Sequence, residues 1–298
     1  MSSIFNLLDL YFEYLRSEKK ASAMTIQNYT HYLHRFSNFL KKHFPTLVDP
    51  KIINSDVILQ YKKYLTDFKD QKGKNLDTIT QGYHLIALRS FCRYLAQRGL
   101  DIINLELIGV PHAKARQLKF LNEEQIGVLL RMPESRRDKS IMELLISTGL
   151  RVSDLVRLNK ADLDFARKEI NIQSKSSERR IAFLTEEAWY WLRKYLAERN
   201  DQEEALFTRT AGRKNGPYRL TARSIQRIVE KYVKKAGLPI RATPHTFRHT
   251  FALCLLSSGK DIKTVRQMLG HKNISTTQIY THVTNPQLKE INQRFHRK

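Results

Sequence analysis

Apolar positions along the first hundred residues recur at helical spacing. Ile4, Leu7, Leu8, Leu10, Tyr11, Tyr14 and Leu15 mark one face of a first helix. Residues 25–42 repeat the pattern with Ile26, Tyr29, Tyr32, Leu33, Phe36, Phe39 and Leu40. A cap at Asn54 or Ser55 opens NSDVILQYKKYLTDF, and NLDTITQGYHLIALRSFCRYLAQRGL closes on Gly99, a residue suited to stopping a helix. Four helices and no convincing strand predict a small all-α domain over residues 1–105, with Tyr29, Tyr32 and Phe36 in its core. The stretch 106–118 loses the periodicity at Gly109 and Pro111 and then turns basic, with Lys114 and Arg116, and Lys119 just beyond; it reads as an interdomain linker.

A second domain, 119–298, mixes periods. Asn122 caps LNEEQIGVLLRM, and DKSIMELLISTGLRVSDLVRL reads as a helix, a stop at Gly149 and a second helix capped near Ser153. In KEINIQSKSSERRIAFL, Ile170 and Ile172 precede a polar middle and Ile181 and Phe183 follow it, the alternation of a β-hairpin. Helices resume at TEEAWYWLRKYLAER and TARSIQRIVEKYVKKAGL. The expected fold class is mainly α, with a small β-hairpin or sheet in the second domain.

Composition narrows the picture. At 298 residues, 41% of them hydrophobic, the chain is long enough for two domains with cores of their own. Apolar runs such as FALCLLSS are too short to span a bilayer, and the N-terminus reads as an amphipathic helix and not a cleaved leader, so a cytoplasmic protein is expected. Cys92 and Cys254 sit among apolar neighbours as free thiols, and no zinc-ligand spacing occurs. Charge changes more: 52 Lys+Arg against 29 Asp+Glu give +23. Residues 1–110 hold 15 basic and 10 acidic groups (+5), leaving +18 for 111–298. Such an excess is a footprint for a polyanion, and nucleic acid fits it better than an anionic membrane.

The chemistry-bearing side chains lie in the second domain. Phosphoryl transfer without a metal needs an oxygen nucleophile, cations for the non-bridging oxygens and an acid for the leaving oxygen. Arg151 follows the helix stop in TGLRVSDL, Lys175 sits at the hairpin tip, and His245 and Arg248 share a helical face in HTFRHT. His271 follows Gly270, and Tyr280 lies nine residues later. No GxxxxGK[ST] loop is present, so no nucleotide cofactor is expected.

STGLRVSDLVRL, KSSERRI, PHTFRHTFA and LGHKNISTTQIYTHV resemble, in order and spacing, the signature boxes of the tyrosine recombinase family, nearest to its Xer-like members. The resemblance implies a helical, SAM-like core-binding domain followed by an α+β catalytic domain, acting on double-stranded DNA. It implies Tyr280 as nucleophile forming a 3′-phosphotyrosyl link, Arg151 and Arg248 clamping the phosphate, and Lys175 protonating the leaving 5′ oxygen. His245 would serve as acid or base and His271 as a hydrogen-bond donor, with no metal and no ATP. It also implies a homotetramer, or a heterotetramer with a related recombinase, exchanging strands through a Holliday junction, in chromosome dimer resolution or mobile-element integration. A type IB topoisomerase-like enzyme and a non-catalytic DNA-binding regulator are the alternatives. Asp154 reads as the carboxylate orienting Arg151, while His249, His282 and Arg266 read as scaffold. The hairpin tip lacks the glycines common in the family, and Lys168 is the other nearby lysine. A tail with Leu288, Ile291 and Phe295 at helical spacing is expected to dock on a neighbouring protomer.

Overall fold

The computed structural model describes residues 3–45, 49–100, 102, 108–111, 118–173, 180–209, 218–271, 273 and 275–280. The chain divides into two compact units, Met1–Arg116 and Gln117–Lys298. The first contains α1 (Ile4–Ser17), α2 (Ala23–His43), α3 (Ser55–Asp67) and α4 (Thr78–Gln97). Each begins at a side-chain cap, Ser3, Ser22, Asn54 and Asp77 respectively, whose oxygen receives a backbone N–H that the first turn leaves unpaired. Tyr11, Phe36, Tyr61 and Phe91 are fully enclosed at the centre. Ile108 and Val110, from the stretch read as linker, pack on this core, and Arg89 Nη2 donates to the Ile108 carbonyl at 2.6 Å.

The second unit runs α5 (Glu123–Arg131), α6 (Arg136–Thr148), α7 (Val152–Arg157), β1 (Leu163–Asp164), β2 (Glu169–Ile172), β3 (Arg180–Phe183), α8 (Glu186–Ala197), α9 (Ala222–Lys235), α10 (Pro244–Ser257), α11 (Ile262–Leu269) and α12 (Ser275–Gln278). The fold is mostly helical around one antiparallel sheet of order β1-β2-β3, so the expected hairpin gains a short third strand. In its register Ile170 faces Ala182 and Ile172 faces Arg180, while Asn171 faces Ile181. Partners across a sheet share a face. Ala182 and Arg180 therefore lie with the buried Ile170 and Ile172, whereas Ile181 and Phe183 are 47% and 60% exposed. The apolar residues Ile181 and Phe183 of β3 thus point outward, opposite to what a buried hairpin would need.

α7 also departs from expectation, because its cap is Arg151 and not Ser153, and Arg151 makes no capping bond with its side chain. The helix before it ends on Gly149, in the left-handed region with φ 58°. A Cβ there would lie 2.4 Å from Phe251 Cδ1 on α10, so glycine is required by backbone and space together. Both thiols are free, Cys92 buried and Cys254 half-buried. No described helix is long and apolar enough to cross a membrane.

Replacing Gly149 by alanine combines left-handed strain with overpacking, and should lower unfolding stability by about 2–5 kcal/mol. Denaturant titration of the variant checks this; an unchanged midpoint would mean the helix end is not held against α10.

Candidate active site

A helix leaves its last carbonyls without partners of its own. At the end of α11 the chain turns through Gly270, φ 65°, and the Gly270 and His271 amides bond back to the carbonyls of Gln267 and Arg266. The next three carbonyls are received by three arginines from three other elements. Arg180 Nη1 donates to Met268 O at 2.7 Å, Arg248 Nη2 to Leu269 O at 2.7 Å, and Arg151 Nη1 and Nη2 to Gly270 O, both at 3.2 Å. Arg248 Nη1 spans to Gly149 O at 2.7 Å, tying this turn to the one before α7.

Asp154 is the buried carboxylate of the group. It pairs with Arg157 at 2.6 Å, Arg180 at 3.4 Å and Arg151 at 4.0 Å. Carbonyl dipoles supply much of the remaining compensation, and a dipole does not neutralise a charge. The strain is visible in the guanidinium of Arg248, whose pKa is pushed down by burial and then by Arg151 and Arg180. Arg180 is depressed for the same first reason, against the pull of Asp154. An anion entering here would relieve that repulsion. Arg151, with 33% of its side chain exposed, is the guanidinium of the three that most reaches solvent.

Around the cations stand three histidines whose pKa values all lie below the usual imidazole range. His271 is hydrogen-bonded through Nδ1 to Thr277 Oγ1 at 2.8 Å, and burial with Arg248, Arg151 and Arg180 takes its pKa down to about 3. His245, in the first turn of α10, reaches the surface. Loss of hydration, Arg248 and Arg151 lower its pKa. His249 is four residues further on the same helical face, and its pKa falls to about 4 through burial, then His245 and Arg248. Its Nδ1 lies 2.9 Å from the Tyr280 hydroxyl, with the rings edge-on at 5.6 Å. Tyr280 is only 1% exposed, packed with Ala252, Leu253, Val265 and Leu269. Burial raises its pKa, although Arg248 and Arg151 pull the other way. With the phenol raised and the imidazole lowered, the proton stays on tyrosine.

The structure therefore gathers Arg151, His245, Arg248, His271 and Tyr280 around one helix end. Lys175 lies outside the described residues, as do His282 and the tail with Leu288, Ile291 and Phe295. The alternative lysine, Lys168, sits in a turn with φ 56° and bonds Glu186 at 2.6 Å. Two contacts escaped the sequence. His249 was legible only as the i+4 partner of His245. Arg180 showed itself only by being in phase with Ala182, against the apolar residues beside it. Among the described residues no group of three or more His, Cys, Asp or Glu could hold a metal ion.

The model of the phage integrase family matches residues 119–286. The chain belongs to this family of tyrosine recombinases. The family's N-terminal SAM-like domain matches residues 8–99. Among similar proteins, tyrosine recombinase XerD of Oceanobacillus iheyensis is 35% identical over 298 residues, 96% of each chain. Tyrosine recombinase XerC of Pelotomaculum thermopropionicum is 34% identical, covering 97% of each. The integrase fold also matches the crystal structure of XerH site-specific recombinase bound to palindromic difH substrate, a post-cleavage complex. The match has a TM-score of 0.71 and 22% identity, over 91% of this chain and 80% of that one.

Mild nitration of the free recombinase should modify the exposed Tyr83, Tyr190 and Tyr218 while sparing Tyr280, as read by peptide mass. Modification of Tyr280 at the same rate would contradict its enclosure.

Proposed function

We propose that this recombinase cuts and rejoins specific DNA sites with Tyr280 as nucleophile and Arg151 and Arg248 as the clamp on the scissile phosphate. The chain is a DNA-breaking and rejoining enzyme that carries out site-specific recombination. The observation that carries the residue roles is the helix end where arginines meet consecutive carbonyls within reach of the tyrosine's field. Each guanidinium spends some N–H groups on fixed carbonyls, which sets its plane, and keeps others for an incoming oxygen. A phosphodiester brings the negative charge that the cluster lacks.

The step runs as follows. Tyr280 Oη bonds to phosphorus, the bond from phosphorus to the 5′ oxygen breaks, and the DNA 3′ end remains on the enzyme as a phosphotyrosine. The tyrosine proton passes to a neutral histidine, with His245 as acceptor, and Lys175 gives the leaving 5′ oxygen its proton. His271, its Nδ1 fixed by Thr277, offers Nε2 to a non-bridging oxygen. The phosphotyrosine conserves the bond energy, so rejoining by a second 5′ hydroxyl needs no nucleotide. Because Tyr280 is enclosed, it moves before it attacks, and DNA binding supplies the occasion. Four protomers exchanging strands in pairs through a Holliday junction complete this reading. The similarity to proteins named XerC and XerD along nearly the whole chain supports chromosome dimer resolution over integration of a mobile element.

Incubation with nicked duplexes drawn from the host chromosome should trap a covalent adduct with the wild type and none with Tyr280→Phe. Arg248→Gln should slow adduct formation by roughly 100- to 1,000-fold, as expected on losing one charge-stabilising donor. An equal adduct with Tyr280→Phe would defeat the assignment.

A further inference from the structure

Arg180 is the first residue of β3 and lies on the inward face of the sheet, opposite Ile172. Its neighbours Ile181 and Phe183, which would bury favourably, face solvent instead. Placing a guanidinium inside and apolar side chains outside is costly unless the charge is fully engaged. It is engaged twice, by Met268 O at 2.7 Å and by Asp154 Oδ2 at 3.4 Å, and its side chain is only 10% exposed. Gly270 presses on it: a Cβ at that glycine would lie 3.0 Å from Arg180 Cδ and Nη1. The guanidinium thus fills the space under the turn whose carbonyl holds Arg151, and binds the carboxylate that also pairs with Arg151.

We propose that Arg180 is a positioning residue for the cleavage reaction. It bridges Met268 O and Asp154 so that the Gly270 turn and Arg151 present one fixed donor geometry to the scissile phosphate. This rests on the reading above, in which Arg151 and Arg248 grip that phosphate. The Arg180 guanidinium is committed to Met268 O and to the Asp154 carboxylate and lies against Gly270, so it acts through Arg151, Asp154 and the end of α11. A lysine in its place would offer a point charge on one nitrogen, without the planar fork whose two separate nitrogens reach the carbonyl and the carboxylate. An inward charge on an edge strand can also serve to discourage edge-to-edge pairing, and that role would be satisfied by lysine equally well.

The test compares Arg180→Lys and Arg180→Met with wild type in single-turnover adduct formation on a nicked duplex. The substrates are an ordinary scissile phosphate and a methylphosphonate, whose neutral methyl replaces one non-bridging oxygen. Thermal melting of each full-length variant accompanies the rates. Both variants should lose roughly 10- to 100-fold in rate on the phosphodiester, the scale of a lost orienting partner. The loss should shrink at least several-fold on the methylphosphonate, where the clamp has less charge to hold. Loss of equal size on both substrates, or full activity of Arg180→Lys, overturns the proposal. If Arg180→Met melts below the assay temperature, Arg180→Lys alone decides. Tyr280→Phe runs alongside: an adduct from that variant defeats the underlying reading whatever Arg180 does.

Discussion

The carbonyls of Met268, Leu269 and Gly270 have no amides in their own helix to receive, and the candidate site of the second unit is arranged around that lack. Three arginines from the start of α7, the edge of the sheet and the middle of α10 converge on them. A carboxylate at each position would hold an arginine more strongly and would also cancel its charge. Carbonyls hold the guanidiniums in place and leave most of the positive field intact, which a phosphate-handling site requires. Gly149 and Gly270 make the arrangement possible, since both turns need left-handed backbone; a Cβ at Gly149 would clash with Phe251, and one at Gly270 would press on Arg180.

Burial, working against that field, keeps the proposed nucleophile protonated in the free protein. Burial holds Tyr280 protonated, and the histidine beside it is held neutral by desolvation and by the nearby Arg248. Arg151 and Arg248 favour the phenolate, and desolvation outweighs them while the ring is enclosed. Releasing the ring removes the larger opposing effect and leaves the favourable one. On the function proposed above, activation is a change of position more than a change of chemical partners.

The helices of both units were legible because their apolar faces and caps are local signals; Asn122, Thr185 and Thr243 each sit where a side chain closes the first turn. Arg151, His245, Arg248, His271 and Tyr280 were legible because they occur within recurring boxes. Three features were not. β3 turns Ile181 and Phe183 to solvent and Arg180 inward, an arrangement the alternation alone does not reveal, and the physical reason is the buried ion pair of Arg180 with Asp154. The contact between His249 and Tyr280 joins residues 31 apart in a way no helical period announces. Ile108 looked like linker because Gly109 and Pro111 follow it, yet an apolar side chain beside a punctuating pair can still pack backwards.

The central claim is that carbonyl-held arginines form a ready-made seat for a phosphodiester. The most direct measurement is a crystal structure of Tyr280→Phe bound to an uncleaved duplex. The scissile phosphate should lie within hydrogen-bond distance of Arg151 and Arg248 while their bonds to Gly270 O and Leu269 O persist. A phosphate bound elsewhere, or arginines that abandon those carbonyls to reach it, would contradict the account.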